Sequence, residues 1–199
     1  MKLFLLTISL FLFSCSHTKI SKRDKWQKPN KIFKAISSSN DKNKTFCDLG
    51  SGSGYFTLNA AKKYKHIYAS EINKKEIEKL SKNIERSRDN NITIIQSKVD
   101  DPLFPAGKCD VIFIALVYHH IENRVDYLQN LRRYLSENGK IVNLDNAFNP
   151  ERYVGTGKRL PAKECRFPKE KFLKEAKLAK FSKSKEHFVL PMQYLIEIQ

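Results

Sequence analysis

The sequence predicts a three-layer α/β fold in one domain, and three observations carry that reading. Short apolar runs alternate with longer amphipathic ones from Lys44 onward, the pattern of a parallel sheet covered by helices. The first run leads into a turn with three glycines, as where a strand feeds a helix beside a ligand. The final runs, 187–190 and 193–198, flank Pro191-Met192 and read as a hairpin of antiparallel strands. Length and composition agree. A chain of 199 residues, 41% hydrophobic, can bury one core, which excludes a disordered or fibrous protein.

Residues 1–15 are a material apart. Leu3 to Phe13 is apolar except for Thr7 and Ser9, within the length of a secretory signal and well short of the ~20 residues that a membrane-spanning helix needs. The ending Leu12-Phe13-Ser14-Cys15 resembles a bacterial lipobox, with Phe13 bulkier than the usual residue there. The expectation is a lipoprotein-type signal peptide, with Cys15 lipidated and anchoring the protein to a membrane of the bacterial cell envelope. Without processing the chain stays cytoplasmic.

Residues 16–44 read as a basic linker plus an N-terminal helix, which begins near Pro29, carries Ile32, Phe33 and Ile36 and stops at Ser37-Ser38-Ser39-Asn40. Strands are expected at 45–49, 67–70, 92–96, 111–116 and 141–144, short and mostly apolar as strands covered on both faces are. Helical spacing marks 56–64, 74–87 and 122–135, with Ile77, Leu80 and Ile84 on one stripe and Val125, Leu128, Leu131 and Leu135 on another. Ser136-Glu137-Asn138-Gly139 reads as the stop after the last of these. An irregular stretch follows to about Phe167, then a helix over 168–179. Cys47, Cys109 and Cys165 are an odd number without paired spacing, so neither a disulfide framework nor a zinc motif is expected, and Cys47 and Cys109 read as small core hydrophobes.

Charge narrows the partners. The chain has 37 Lys plus Arg against 21 Asp plus Glu, a formal +16. Of the 37, 28 are Lys scattered along the chain, the pattern of a solvated surface more than of a nucleic-acid face.

The chemistry begins at the glycine turn, Asp48-Leu49-Gly50-Ser51-Gly52-Ser53-Gly54. A dinucleotide fingerprint would need a glycine where Tyr55 stands. Asp48 lies two residues before the first glycine, where it would repel a pyrophosphate and welcome the sulfonium and amino group of S-adenosylmethionine. Glu71 ends the next strand and can accept both hydroxyl protons of a ribose.

These residues resemble class I S-adenosylmethionine-dependent methyltransferases. The chain is similar in particular to a subgroup of small bacterial methyltransferase-like proteins, often bearing signal peptides, through residues 23–29, 48–56, Tyr118-His119-His120-Ile121-Glu122-Asn123-Arg124 and Pro191-Met192-Gln193-Tyr194. The resemblance covers about 23–199. It implies, over 45–199, a Rossmann-like seven-stranded sheet whose last strand runs antiparallel between the fifth and sixth. It implies that Asp48, Gly50, Ser51, Gly52 and Gly54 hold the methionine and ribose portions of the cofactor, and Glu71 the ribose hydroxyls. Family members often have an acidic residue for the adenine where Lys98 stands here, which leaves Asp100, Asp101 or the Val99 backbone amide for that contact. The end of the fourth strand would face the transferable methyl, making Tyr118, His119 and His120 the catalytic candidates, since a neutral imidazole is available as a base near pH 7.

The stretch lacks the Asn-Pro-Pro-aromatic signature of nucleic-acid amino methyltransferases, so a nucleic-acid substrate is disfavoured. Asp145-Asn146 matches part of the cation site of some O-methyltransferases, but Leu116, Val117 and Tyr118 stand where a further aspartate belongs, and no metal is expected. The expected function is methyl transfer from S-adenosylmethionine to a small-molecule acceptor. The alternative is a non-catalytic, membrane-anchored lipoprotein that binds S-adenosylmethionine, S-adenosylhomocysteine or another nucleoside. Residues 147–167, with Arg152, Tyr153, Arg159 and Arg166, read either as a lid selecting an acidic acceptor or as an ordered surface loop.

Overall fold

The computed structural model describes residues 23–39, 41–147, 165–187, 190 and 192–199. The expected signal peptide with Cys15, the start of the basic linker and most of the expected lid lie outside the described residues.

Seven strands form one sheet: β1 (Thr45–Leu49), β2 (His66–Glu71), β3 (Ile92–Gln96), β4 (Cys109–Ala115), β5 (Leu135–Asn146), β6 (Ser184–His187) and β7 (Gln193–Ile198). Their order is β3-β2-β1-β4-β5-β7-β6. The first five are parallel, and β7 enters antiparallel between β5 and β6. The chain runs outward in one direction from β1 and in the other from β4. The carboxyl ends of this pair therefore open the crevice where α/β sheets take ligands.

The sheet is covered on both faces. On one, α2 (Pro29–Ile36) and α3 (Tyr55–Ala61) bury Phe33, Phe56 and Ala60 against Phe46, Phe113 and Val142. Phe33 meets the rings of Phe46, Phe56, Tyr64 and Phe113 at centroid distances of 5.7 to 6.4 Å, contacts that add to area burial. On the other, α5 (Arg124–Leu131) and α6 (Lys169–Leu178) bury Leu128, Leu131 and Phe172 against Ile112, Ile114 and Ile196. A short α1 (Asp24–Gln27) precedes α2. Between β2 and β3, α4 (Lys74–Ser87) starts where the Asn73 side chain accepts from the Lys75 amide at 2.9 Å.

Three local expectations change. The helix expected to reach residue 135 ends at Leu131 and tightens into a 3-10 turn, Arg132–Tyr134. Residues 136–139, expected to stop that helix, lie within β5. Pairing jumps there from Cys109↔Leu135 to Val111↔Lys140, and a Cβ on Gly139 would stand 2.6 Å from the Cys109 carbonyl oxygen. The final hairpin opens at Ser184 rather than 187, because an exposed edge strand of Ser184-Lys185-Glu186 carries no apolar pattern.

The cysteine expectation also needs correcting. Cys47 and Cys109 are buried, as expected, but they form a disulfide between β1 and β4 with Cα atoms 5.7 Å apart. Their spacing of 62 residues gave no signal, since only the pairing of β1 with β4 brings them together.

Candidate active site

The glycine turn leaves β1 and opens α3. The Gly50 and Ser51 amides both donate to the Ser70 carbonyl, at 2.8 and 3.0 Å, tying the turn to the end of β2. Gly50 and Gly54 adopt positive φ, and a Cβ at either would lie 2.5 Å from Val117 Cγ2 or Leu80 Cδ1. Only glycine fits both demands. Gly52 is also at positive φ, but a Cβ there would meet nothing within 4 Å, so this part of the turn borders open space. The Ser51 hydroxyl is buried without a hydrogen-bond partner.

Glu71 spans the turn. Its Oε2 accepts from the Gly52 amide at 2.8 Å, and Oε1 accepts from Ile72 and Asn73 amides at 2.9 Å. With three amides donating to its two oxygens, the carboxylate keeps lone pairs for further hydroxyl protons. Asp48 is buried, and its Oδ2 accepts from the Thr57 hydroxyl at 2.6 Å. Burial raises its pKa to about 6, opposed by the Thr57 hydrogen bond and the charge of Arg23.

A cavity of about 310 Å³ lies across the carboxyl ends of the strands. Gly50, Glu71, Val99 and His120 all line it, so one residue of the glycine turn, the ribose and adenine candidates and one catalytic candidate share a single space, while Asp48, Ser51, Gly52 and Gly54 are not on its lining. Ile72 and Val99, two large apolar side chains left 48% and 78% exposed, line it too and offer a slot for a flat ring. Lys98 is also on the lining, whereas Asp100 is exposed and is not among the lining residues. Asp101 is committed elsewhere, accepting from the Leu103 amide and the Tyr134 and Arg133 side chains.

The three catalytic candidates part company. Tyr118 is fully buried, its ring edge-on to Phe167 and Phe172 and its hydroxyl donating to Glu175 Oε2 at 2.7 Å. Burial, with that carboxylate beside it, pushes the phenol far above its usual range. In this structure the Tyr118 side chain anchors the turn to α6. Arg124 completes the anchor by donating to Glu175 and to the Ile121 carbonyl. His119 and His120 lie beyond it with ring centroids 4.0 Å apart. The buried Asp145 carboxylate lies 2.8 Å from His119 Nδ1, which orients the ring and leaves Nε2 facing away from that contact. Desolvation and the neighbouring His119 lower the His120 pKa, favouring its neutral form.

Two residues of the amino-terminal segment join the site without any motif having assigned them a role. The Arg23 guanidinium lies 4.0 Å over the Tyr55 ring and close enough to Asp48 to affect its charge. Gln27, fully buried, accepts from Arg23 and leaves its Nε2 without a partner.

Residues 47–143 match the family model described as a methyltransferase domain. Solved structures share the fold. A SAM dependent methyltransferase from Aquifex aeolicus superposes with TM-score 0.78 at 16% identity, covering 88% of this chain and 91% of that one. A putative S-adenosyl-L-methionine-dependent methyltransferase from Methanococcus maripaludis gives 0.66 at 19% identity, over 87% of each chain. The DhpI–SAH complex gives 0.65 at 15% identity, over 92% of this chain and 87% of that one. Among curated proteins none matches the sequence. The chain shares the fold of these solved methyltransferases.

Proposed function

We propose that the protein transfers the methyl group of S-adenosylmethionine to a small-molecule acceptor presented beside His119 and His120. The observation that carries the proposal is the single cavity joining Gly50, Glu71, Val99 and His120. Asp48, Ser51, Gly52 and Gly54 are not among its lining residues and stand behind Gly50 on the same turn. The Glu71 carboxylate accepts the ribose hydroxyls, Ile72 and Val99 enclose the adenine, and the Gly50–Gly54 turn admits the methionine portion. The buried Ser51 hydroxyl and Gln27 amide, both without partners, suit the polar methionine end, and Arg23 suits its carboxylate. Bound cofactor supplies an electrophilic methyl on a sulfonium. The chain aligns the acceptor with it and places the His119 and His120 imidazoles on the acceptor side.

Calorimetric titration tests the reading. Wild type binds S-adenosylmethionine and S-adenosylhomocysteine with one site, and Glu71→Ala weakens both by at least tenfold. Equal binding by the variant would remove the ribose assignment.

We propose further that Cys15 is lipidated and the domain faces an oxidising compartment of the envelope. The buried Cys47–Cys109 disulfide supports this, since such bonds persist outside the reducing cytosol. Labelling with a radioactive fatty acid marks the wild type but not Cys15→Ala. Labelling of both would refute the anchor. A domain that binds the cofactor there without transferring methyl groups is the second reading, favoured by the same disulfide because S-adenosylmethionine is made in the cytosol.

A further inference from the structure

His119, His120 and Cys165 come from distant parts of the chain, yet one ligand atom from each lies within 4.8 Å of the other two. Nothing in the methyltransferase reading requires a thiol there. Each member is placed by its own support. The turn that bears both histidines is fixed by Tyr118 through Glu175 and by Arg124 through the Ile121 carbonyl. Cys165 is positioned by the Asn146 amide, which donates to its carbonyl at 3.0 Å, and it is free of the disulfide. His119 shows the arrangement usual around a bound cation. Its Nδ1 faces the buried Asp145 carboxylate at 2.8 and 3.0 Å, which leaves Nε2 as the ligating nitrogen. Asp145 is itself held by the Asn146 amide at 2.8 Å.

We propose that His119 Nε2, one nitrogen of His120 and Cys165 Sγ form a binding site for a zinc-class divalent transition metal. Two imidazoles and a thiolate make a borderline-soft donor set that selects zinc over magnesium or calcium. Metal–nitrogen bonds of about 2.0–2.1 Å and a metal–sulfur bond of about 2.3 Å call for ligand atoms about 3.3–3.8 Å apart, so closing on the ion needs a shift of about 1 Å. Coordination takes the Cys165 thiol to thiolate, its proton passing to solvent. Three protein ligands leave a fourth position for water or an acceptor heteroatom, the pattern of catalytic rather than structural zinc. Because His120 also lines the cavity, the ion sits at the rim of the cofactor site. The sequence did not point to this site, since Cys165 is separated from the histidines by 45 residues and the spacing matches no zinc motif. The proposal departs from the expectation that the protein holds no metal.

The test needs no cofactor and stands apart from the methyltransferase reading. Full-length protein, stripped with a chelator, is titrated with Zn²⁺ alone by calorimetry and with Co²⁺ alone by absorption. One equivalent binds, and the Co²⁺ form shows a thiolate-to-metal charge-transfer band. Cys165→Ser abolishes that band, His120→Ala weakens binding at least tenfold, and Asp145→Asn weakens it by roughly 10–100-fold. His120 is exposed, so its replacement leaves the thermal midpoint unchanged and separates lost ligation from lost folding. Cys15→Ser binds as the wild type does. Absence of a saturable site, retention of the charge-transfer band in Cys165→Ser, or its loss in Cys15→Ser would each overturn the proposal.

Discussion

Asp48 shows how one residue ties the fold to its ligand. Its carboxyl is buried beside Thr57, and desolvation raises its pKa from the usual ~3.9 to about 6. The folded state therefore favours the neutral acid. The stabilisation, on the order of 3 kcal/mol, is whole below pH about 4 and is lost as pH rises through about 6. A cationic cofactor reverses the preference. S-adenosylmethionine affinity rises between pH 5 and 7, S-adenosylhomocysteine affinity rises less, and Asp48→Asn flattens both curves in calorimetric titrations. Parallel curves in wild type and variant would separate Asp48 from the cofactor. At this scale the sequence revealed what is local. Asp48 and the glycine turn lie in a short contiguous pattern with fixed backbone demands, Glu71 ends the next strand, and the Gly52 amide joins the turn to Glu71. Val99 lines the cavity with its neighbour Lys98, whereas Asp100 is not among the lining residues. Gln27 and Cys165 were not legible, since each acts through tertiary contacts that no spacing rule encodes.

Among the elements, β1 and β4 matter most, because the crevice opens between them and the Cys47–Cys109 disulfide staples them. Closing a loop of this length stabilises a domain by about 2–4 kcal/mol. Reduction, or the Cys47→Ala/Cys109→Ala pair, lowers the thermal midpoint by roughly 5–15 °C. An unchanged midpoint under reducing conditions would mean that the thiols are not joined. Strand positions were legible where apolar runs are buried on both faces, as in β1 and β4. The start of β6 was not, because edge exposure lets Lys185 and Glu186 replace the apolar signal. The bulge in β5 was hidden for another reason: Gly139 accommodates the Cys109 carbonyl, a close approach that looks in sequence like a helix stop.

For the whole molecule, sheet order decides function. Strand order 3-2-1-4-5-7-6 puts the glycine turn, Glu71, Val99 and the His119-His120 turn at one edge of the sheet, although they span more than seventy residues of chain. The alternation of runs already implied this architecture, and the C-terminal hairpin completed it. Whether the carboxyl ends of the strands take S-adenosylmethionine is tested by calorimetric titration of S-adenosylhomocysteine into wild type and Gly52→Arg. A side chain at Gly52 enters open space, so the variant folds with a modest cost from its positive φ while the arginine stands over the turn. The wild type binds at one site and the folded variant does not bind; no binding by wild type, or equal binding by both, would rule the cofactor out of this site.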